Sequence, residues 1–280
     1  MSPDRAAPTS SRLRALWGGF LLFYLAFILL VILANILWLG RPGAAGGASP
    51  WTYLWSRPDL RAGLWSSIRL SLVTATITAC RATLLAVPSA YALSRFRFRG
   101  AAFIDTIIDL PIVVPPLIAG VALLIFFRQF PVGRFIERYV APVVYTRTGI
   151  VVAQFFVASA FAIRAVKAAF DSVNPRFEMV ARSLGDGPFR AFRRVALPLA
   201  RNGIVAGFIM TWARAMGEFG PIMLLAGATP GKTDVLSVSA FLNMSSGHVE
   251  ASIAIVVLMI GLAAGALVAF KKLGGQGYLW

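Results

Sequence analysis

The chain has 280 residues, of which 58% are hydrophobic and only 14% charged, with a mean hydropathy of +0.77. Ordinary globular chains carry about 25% charged residues, so these figures exclude a water-soluble domain and point to a protein embedded in lipid. The net charge of +16 does not imply a nucleic-acid partner, because Lys and Arg bunch beside long apolar runs, where they anchor helices and set topology.

Six membrane spans of about 18 to 28 residues are predicted, the lengths required to cross a hydrocarbon core of roughly 30 Å with some tilt. The first runs from about Leu16 to Leu39, behind Arg5, Arg12 and Arg14. It is too long for the core of a signal peptide and is read as an uncleaved span. Gly and Pro make Arg41 to Ser49 a loop, and Trp51, Tyr53, Trp55 and Trp65 read as an interfacial aromatic belt. The second span covers about Ser66 to Leu93 and stops at Arg95, Arg97 and Arg99, with Arg69 near its outer end able to snorkel. The third, about Ile107 to Phe127, carries Pro111, Pro115 and Pro116, each of which removes a helix hydrogen bond. The helix should therefore be kinked, either for packing or as a hinge or gate. The fourth runs from about Thr148 to Val166, the fifth from Ile204 to Leu225, and the sixth from Ala251 to Phe270, closed by Lys271 and Lys272. About ten residues follow, so no appended regulatory domain is expected, and residues 1–280 read as one all-α, polytopic domain.

With the N-terminus inside, 14 Lys and Arg fall on inside segments against 8 in outside loops. Both termini are therefore expected on the cytoplasmic side. One long inside segment, residues 174–202, is too polar to span. In it Phe177, Val180, Ala181 and Leu184 form a helical stripe. Gly185-Asp186-Gly187-Pro188 breaks it, and a second, basic helix follows as far as Pro198. Two short helices joined by a tight turn would offer a docking surface to a partner or lie on anionic lipid.

This segment resembles the cytoplasmic loop of permeases in binding-protein-dependent ABC importers. That pattern reads Glu-Ala-Ala, three residues, Gly, nine residues, Ile, one residue, Leu-Pro. Here Gly185 is followed after nine residues by Val195, Ala196, Leu197 and Pro198. The front departs: Met179, Val180 and Ala181 stand where Glu-Ala-Ala is usual, and Glu178 lies one residue early. The resemblance implies a six-helix permease of the type I fold in the plasma (cell inner) membrane. Its coupling surface for ATP-binding cassette subunits would comprise Glu178, Ala181, Leu184, Gly185, Asp186, Leu197 and Pro198. An extracytoplasmic substrate-binding protein and a second permease copy are the other implied partners. The chain has no GxxxxGK[ST] phosphate loop, so ATP hydrolysis would belong to a separate chain. Neither paired catalytic carboxylates nor a Ser/His/Asp set appears, and the single His248 reads as a solvated loop residue. The lone Cys80 lies in an apolar run, and no Cys/His cluster could hold a metal, so no cofactor is expected.

Ionisable residues inside spans are costly and usually face a cavity or a partner. Arg81 lies 14 residues before Arg95 and Arg214 lies 13 after Arg201, so both sit about 20 Å from the inner boundary at 1.5 Å per residue. Glu218, four residues beyond Arg214, should share its helix face. Arg214 and Glu218 could neutralise each other, with Arg81 snorkelling or paired to Asp105 or Asp109. Alternatively Arg81, Arg214 and Glu218 line a substrate path, since a guanidinium fork suits oxyanions. The run Trp212-Ala-Arg-Ala-Met-Gly-Glu-Phe-Gly220 is similar to the fifth-span motif of molybdate, tungstate and sulfate permeases, and so is Thr233-Asp234-Val235-Leu236-Ser237. That resemblance favours a tetrahedral oxyanion, with a homodimer expected for molybdate or tungstate and two different permeases for sulfate. Iron, polyamine, amino acid or phosphonate permeases share the loop and remain alternatives. A membrane-embedded enzyme or assembly factor would need a nucleophile or metal set in the spans.

Overall fold

The structure, a computed structural model, describes residues 11–40, 49–96 and 99–273. The loop expected at 41–48 and the boundary charges Arg5, Arg41 and Arg97 lie outside the described residues, as do the side chains of Arg12, Arg14, Lys271 and Lys272. All regular elements among the described residues are helical. Helix α1 (Ser11–Leu39) is the first span and packs only lightly, against the last helix. A short α2 (Pro50–Ser56), capped by Ser49, carries Trp51, Tyr53 and Trp55. It leads into α3 (Pro58–Arg95), the longest helix, at 38 residues.

The expected third span is not a kinked helix but two helices. α4 (Ala101–Val113) and α5 (Pro116–Gln129) meet at 110°. Pro115 lacks an N–H and disfavours helical geometry at Val114, whose ψ is 127°. Pro116 then occupies the first turn of α5, where a missing N–H costs nothing. Pro111 sits inside α4 without ending it, so Pro115 and Pro116 make the break. After α6 (Pro131–Phe135) and a π turn at Ile136–Val140, the fourth span is α7 (Arg147–Ser172), with Thr146 as its N-cap.

Beyond α7 come α8 (Arg176–Ser183), α9 (Pro188–Ala191), a π turn at Phe192–Ala196 and α10 (Leu197–Met216). The second short helix expected to stop at Pro198 instead runs on into α10, as one apolar path over Pro188–Met216. The π turn explains how. The Leu197 N–H reaches back to the Phe192 carbonyl, and this wider turn makes room for the Pro198 ring in the first turn of α10. The fifth span also ends earlier than expected, at Met216. Residues to Leu225 form a separate α11 (Gly220–Leu225), followed by α12 (Leu236–Ser245) and the sixth span α13 (Val249–Leu273).

Three helices, α3, α7 and α10, make the centre. The buried face of α3 reads Ser67, Ser71, Thr74, Thr78, Ala82, Ala86 and Ala90, and α7 answers with Ala153, Ala158, Ala162 and Ala169. With no hydrophobic effect separating helix from lipid, small side chains allow the close approach on which dispersion and buried polar contacts depend. Gln154, 1% exposed, joins all three: it accepts from Thr78 Oγ1 at 3.0 Å and donates to the Ala215 carbonyl at 3.0 Å. Helices α5 and α11 cross closely at glycines. A Cβ on Gly120 would lie 2.9 Å from the Pro221 Cα, and one on Gly220 3.0 Å from the Leu117 N. The broken span is thereby seated against the end of the Trp212–Gly220 motif.

Candidate functional site

The functional residues expected from sequence separate into three places. The first is the α8–α9 end. Helix α8 closes on Gly185 at φ +100°. The Gly185 N–H bonds the Arg182 carbonyl and the Asp186 N–H the Ala181 carbonyl, both at 3.1 Å, a paired closure that needs a left-handed residue. The apolar stripe points outward: Phe177, Val180 and Leu184 are 57%, 58% and 83% exposed. The residue turned inward is charged. Glu178 is buried, accepts from Tyr91 Oη at 2.6 Å, and pairs with Arg95 Nε at 2.7 Å. Arg95 Nη2 also donates to the Val173 carbonyl at 2.9 Å. The end of α3 therefore grips α8 through a fully bonded carboxylate, leaving an apolar face with Gly185 at its tip. Asp186 meets Arg194 at 3.4 Å across the turn, and Leu197 and Pro198 sit where the path enters α10.

The second place holds Arg214 and Glu218. They pair at 2.6 Å, but not along one helix, because α10 stops at Met216 and Glu218 lies in the turn beyond Gly217. Glu218 is 1% exposed, and the two donors that face it, the Arg214 guanidinium and the Phe219 backbone N–H, both lie out of line with its oxygens. The Arg214 guanidinium also lies over the Phe161 ring at 5.7 Å. Residues 233–237 fold against this turn. Ser237 Oγ donates to the Glu218 carbonyl at 2.7 Å, and Ser71 Oγ accepts from the Leu236 N–H at 2.7 Å. Asp234 is buried and accepts from Ser67 Oγ at 3.3 Å. Burial pushes the Asp234 carboxyl up, more than the hydrogen bonds from Gly231, its own backbone and Ser67 lower it.

The third place is Arg81, which does not join Arg214. It is exposed and lines a groove of about 690 Å³ along α3 and the start of α7. The pairing of Arg81 with Asp105 or Asp109 does not form. Arg164 holds both: Nη1 meets Asp105 at 3.0 Å, and Nε and Nη2 each meet Asp109 at 2.6 Å. The i,i+4 spacing of the two aspartates on α4 is the signal in the sequence that marks this clamp. His248 is not simply solvated either, since its Nδ1 hydrogen-bonds Tyr53 Oη at 3.0 Å. No group of three or more His, Cys, Asp or Glu able to hold a metal occurs among the described residues.

Residues 82–273 match the family model described as binding-protein-dependent transport system inner membrane component. A molybdate/tungstate transport system permease protein of Thermococcus kodakarensis is 38% identical over 210 residues, 75% of this chain and 78% of the relative. A probable sulfate transport system permease protein of Helicosporidium sp. is 33% identical over 254 residues, 87% and 92% of the two chains. The fold is also that of a bacterial ABC transporter involved in the import of alginate, with a TM-score of 0.73, 14% identity and coverage of 95% and 96%. A multi-pass helical chain with the closed turn at Gly185 and these relatives belongs to the binding-protein-dependent transport system inner membrane component family, as the non-catalytic permease subunit of an ABC importer.

Proposed function

We propose that this permease imports a tetrahedral oxyanion, molybdate or tungstate, as a homodimer with both termini cytoplasmic. The observation that carries the reading is the 38% identity to a molybdate/tungstate permease. The Arg81 guanidinium, without an ion-pair partner among the described residues and exposed on a groove, agrees with it. ATP-binding cassette subunits would dock on the exposed Phe177, Val180 and Leu184 face around Gly185. Their closure would travel through Glu178 and Arg95 into α3, and through the unbroken path from Pro188 into α10. A substrate-binding protein would deliver the anion at the opposite end. Of the substrate-path residues, Arg81 fits a conducting role better than Arg214 and Glu218, whose charges meet each other. The break at Pro115 and Pro116, with α4 held by Arg164 of α7, supplies a hinge about which a gate could swing.

Sulfate is the second reading, favoured by the 33% identity to a probable sulfate permease. The test is uptake by proteoliposomes holding the permease with its own ATPase and binding protein, offered molybdate, tungstate and sulfate in competition. ATP-dependent uptake of molybdate or tungstate that a large excess of sulfate leaves intact supports the first reading. Preferred sulfate uptake selects the second, and uptake of none of the three ends both.

A further inference from the structure

Arg81 does not stand alone in its groove. Arg69, Val73, Ile77 and Arg81 follow one another at four-residue intervals along α3, so they form a single ridge, and all four line the groove. The two guanidinium-bearing positions are about 18 Å apart along the helix at 1.5 Å per residue. Val73 and Ile77, 48% and 38% exposed, make an apolar wall between them. Across the groove stands the first turn of α7, with Arg147 and Thr148. Arg147 is held in place by the carbonyls of Lys232 and Gly231, accepting its Nε–H at 3.2 Å and Nη2–H at 3.3 Å. Its Nη1 has no protein acceptor among the described residues. The dipole of a 26-residue helix adds partial positive charge at the same point.

Among the described residues no carboxylate forms an ion pair with any of these three arginines. Asp105 and Asp109 are taken by Arg164, Glu218 by Arg214, and Glu178 by Arg95. Asp234 feels Arg147 but turns toward Ser67 and does not line the groove. Arg69 and Arg81 have no hydrogen-bond or ion-pair partner among the described residues. An unpaired cation at the depth of Arg81 is costly against hydrocarbon, and guanidinium forks beside a low-dielectric wall are matched by a multiply charged anion with several acceptor oxygens.

We infer that this groove binds a tetrahedral oxyanion, received between Arg69 and Arg147 at its mouth and passed along α3 to Arg81. The inference rests on the oxyanion reading above and assigns it residues: Arg69 and Arg147 capture the anion, and Arg81 holds it at depth. The same chemistry is offered by the phosphate of a lipid headgroup, so the test separates the two sources.

The permease–ATPase complex is placed in nanodiscs of phosphatidylcholine alone and of phosphatidylcholine with phosphatidylglycerol. Tungstate binding is measured by equilibrium dialysis with tungsten counted by mass spectrometry, and uptake is followed in matching proteoliposomes. Losing one charged hydrogen-bonding partner should weaken tungstate binding by about tenfold or more in each of Arg69→Gln, Arg81→Gln and Arg147→Gln. Arg81→Lys, which keeps the charge and loses the fork, should fall between, showing that a properly inserted protein reports the effect. Arg128→Gln, whose guanidinium lies over Tyr145 outside the groove, should bind as the parent does. If the parent takes up tungstate and the three groove variants bind and transport it equally well, the groove assignment falls while the oxyanion reading stands. If the parent neither binds nor transports molybdate, tungstate or sulfate, both fall. If phosphatidylglycerol copurifies with the parent, is lost in Arg69→Gln and displaces tungstate, the groove is a lipid site and the inference is overturned.

Discussion

Among the described residues two Arg–Glu pairs hold a buried carboxylate at nearly equal length, 2.7 Å for Arg95–Glu178 and 2.6 Å for Arg214–Glu218, and their surroundings make them different devices. Glu178 is bonded on both oxygens, by Tyr91 and Arg95, and Arg95 spends a further donor on the Val173 carbonyl. Each charge removed from solvent there regains its hydrogen bonds, so the pair can fix the position of α8 against α3. Glu218 faces the Arg214 guanidinium and the Phe219 backbone N–H, but without the alignment that Tyr91 and Arg95 give Glu178, and it sits in a turn and not on a helix. A buried ion pair repays desolvation only when its remaining lone pairs are satisfied. The first pair is therefore a lock, and the second is a costly arrangement held by the turn around it.

Breaking the lock should have the largest effect. Glu178→Ala leaves Arg95 buried without its carboxylate, a loss of about 3–5 kcal/mol. Membrane yield and thermal stability in detergent should both collapse, and Tyr91→Phe should reproduce a smaller part of the loss. An Arg214→Met variant strands Glu218, but the Arg214 side chain is 28% exposed against 9% for Arg95, so solvent already screens part of the pair and the stability deficit should be smaller than that of Glu178→Ala. Adding Glu218→Gln should restore the yield. If it restores uptake as well, Arg214 is excluded from the substrate path; restored yield without uptake places it there. An Arg214→Met deficit equal to that of Glu178→Ala would erase the distinction between the two pairs.

Gly185 sharpens the comparison at the far side of α8. Nothing lies within 4 Å of where its Cβ would stand, so Gly185→Val costs only the left-handed backbone, about 1–2 kcal/mol. Copurification of the ATPase and coupled uptake should fall far more than thermal stability does, and Gly185→Asn, which tolerates this conformation, should recover much of both. A Val variant that transports normally would detach the turn from coupling.

The smallest effect is expected at Asp234, a buried carboxylate that faces no paired cation among the described residues. Burial raises its pKa, so the folded protein favours the protonated form. Its contribution to stability is complete below the ordinary carboxylate pKa and is lost as pH rises through the raised value. Asp234→Asn should flatten that slope and, at neutral pH, leave the protein unharmed or about 1 kcal/mol more stable. A melting series across acidic to neutral pH, run on the parent and on Asp234→Asn, reads this directly, and a variant whose stability falls as steeply with pH as the parent's contradicts it.

The spans, the breaker at Gly185 and the prolines of the third span were legible in the amino-acid order, because each is a local property: apolar length, missing N–H groups, a residue free to take positive φ. The same locality explains the errors. Proline spacing announced a bend but not a 110° break, because the size of a bend depends on what the two halves pack against, here the Gly120–Gly220 crossing. Pro198 read as a helix end, yet a π turn absorbs it, and only the packed path into α10 makes that turn worth forming. Helix depth put Arg81 and Arg214 at one level but could not say which had a partner, since Asp105 and Asp109 choose Arg164 on another helix and only the turn after Met216 brings Glu218 onto Arg214. The sequence alone determined that this chain lives in the membrane and carries the importer loop, because burial in lipid and chain reversal are written residue by residue. Which charges are spent on each other and which stay free for a ligand was decided only by tertiary structure, because pairing is a contest among side chains distant in sequence, settled by the few ångströms that packing sets.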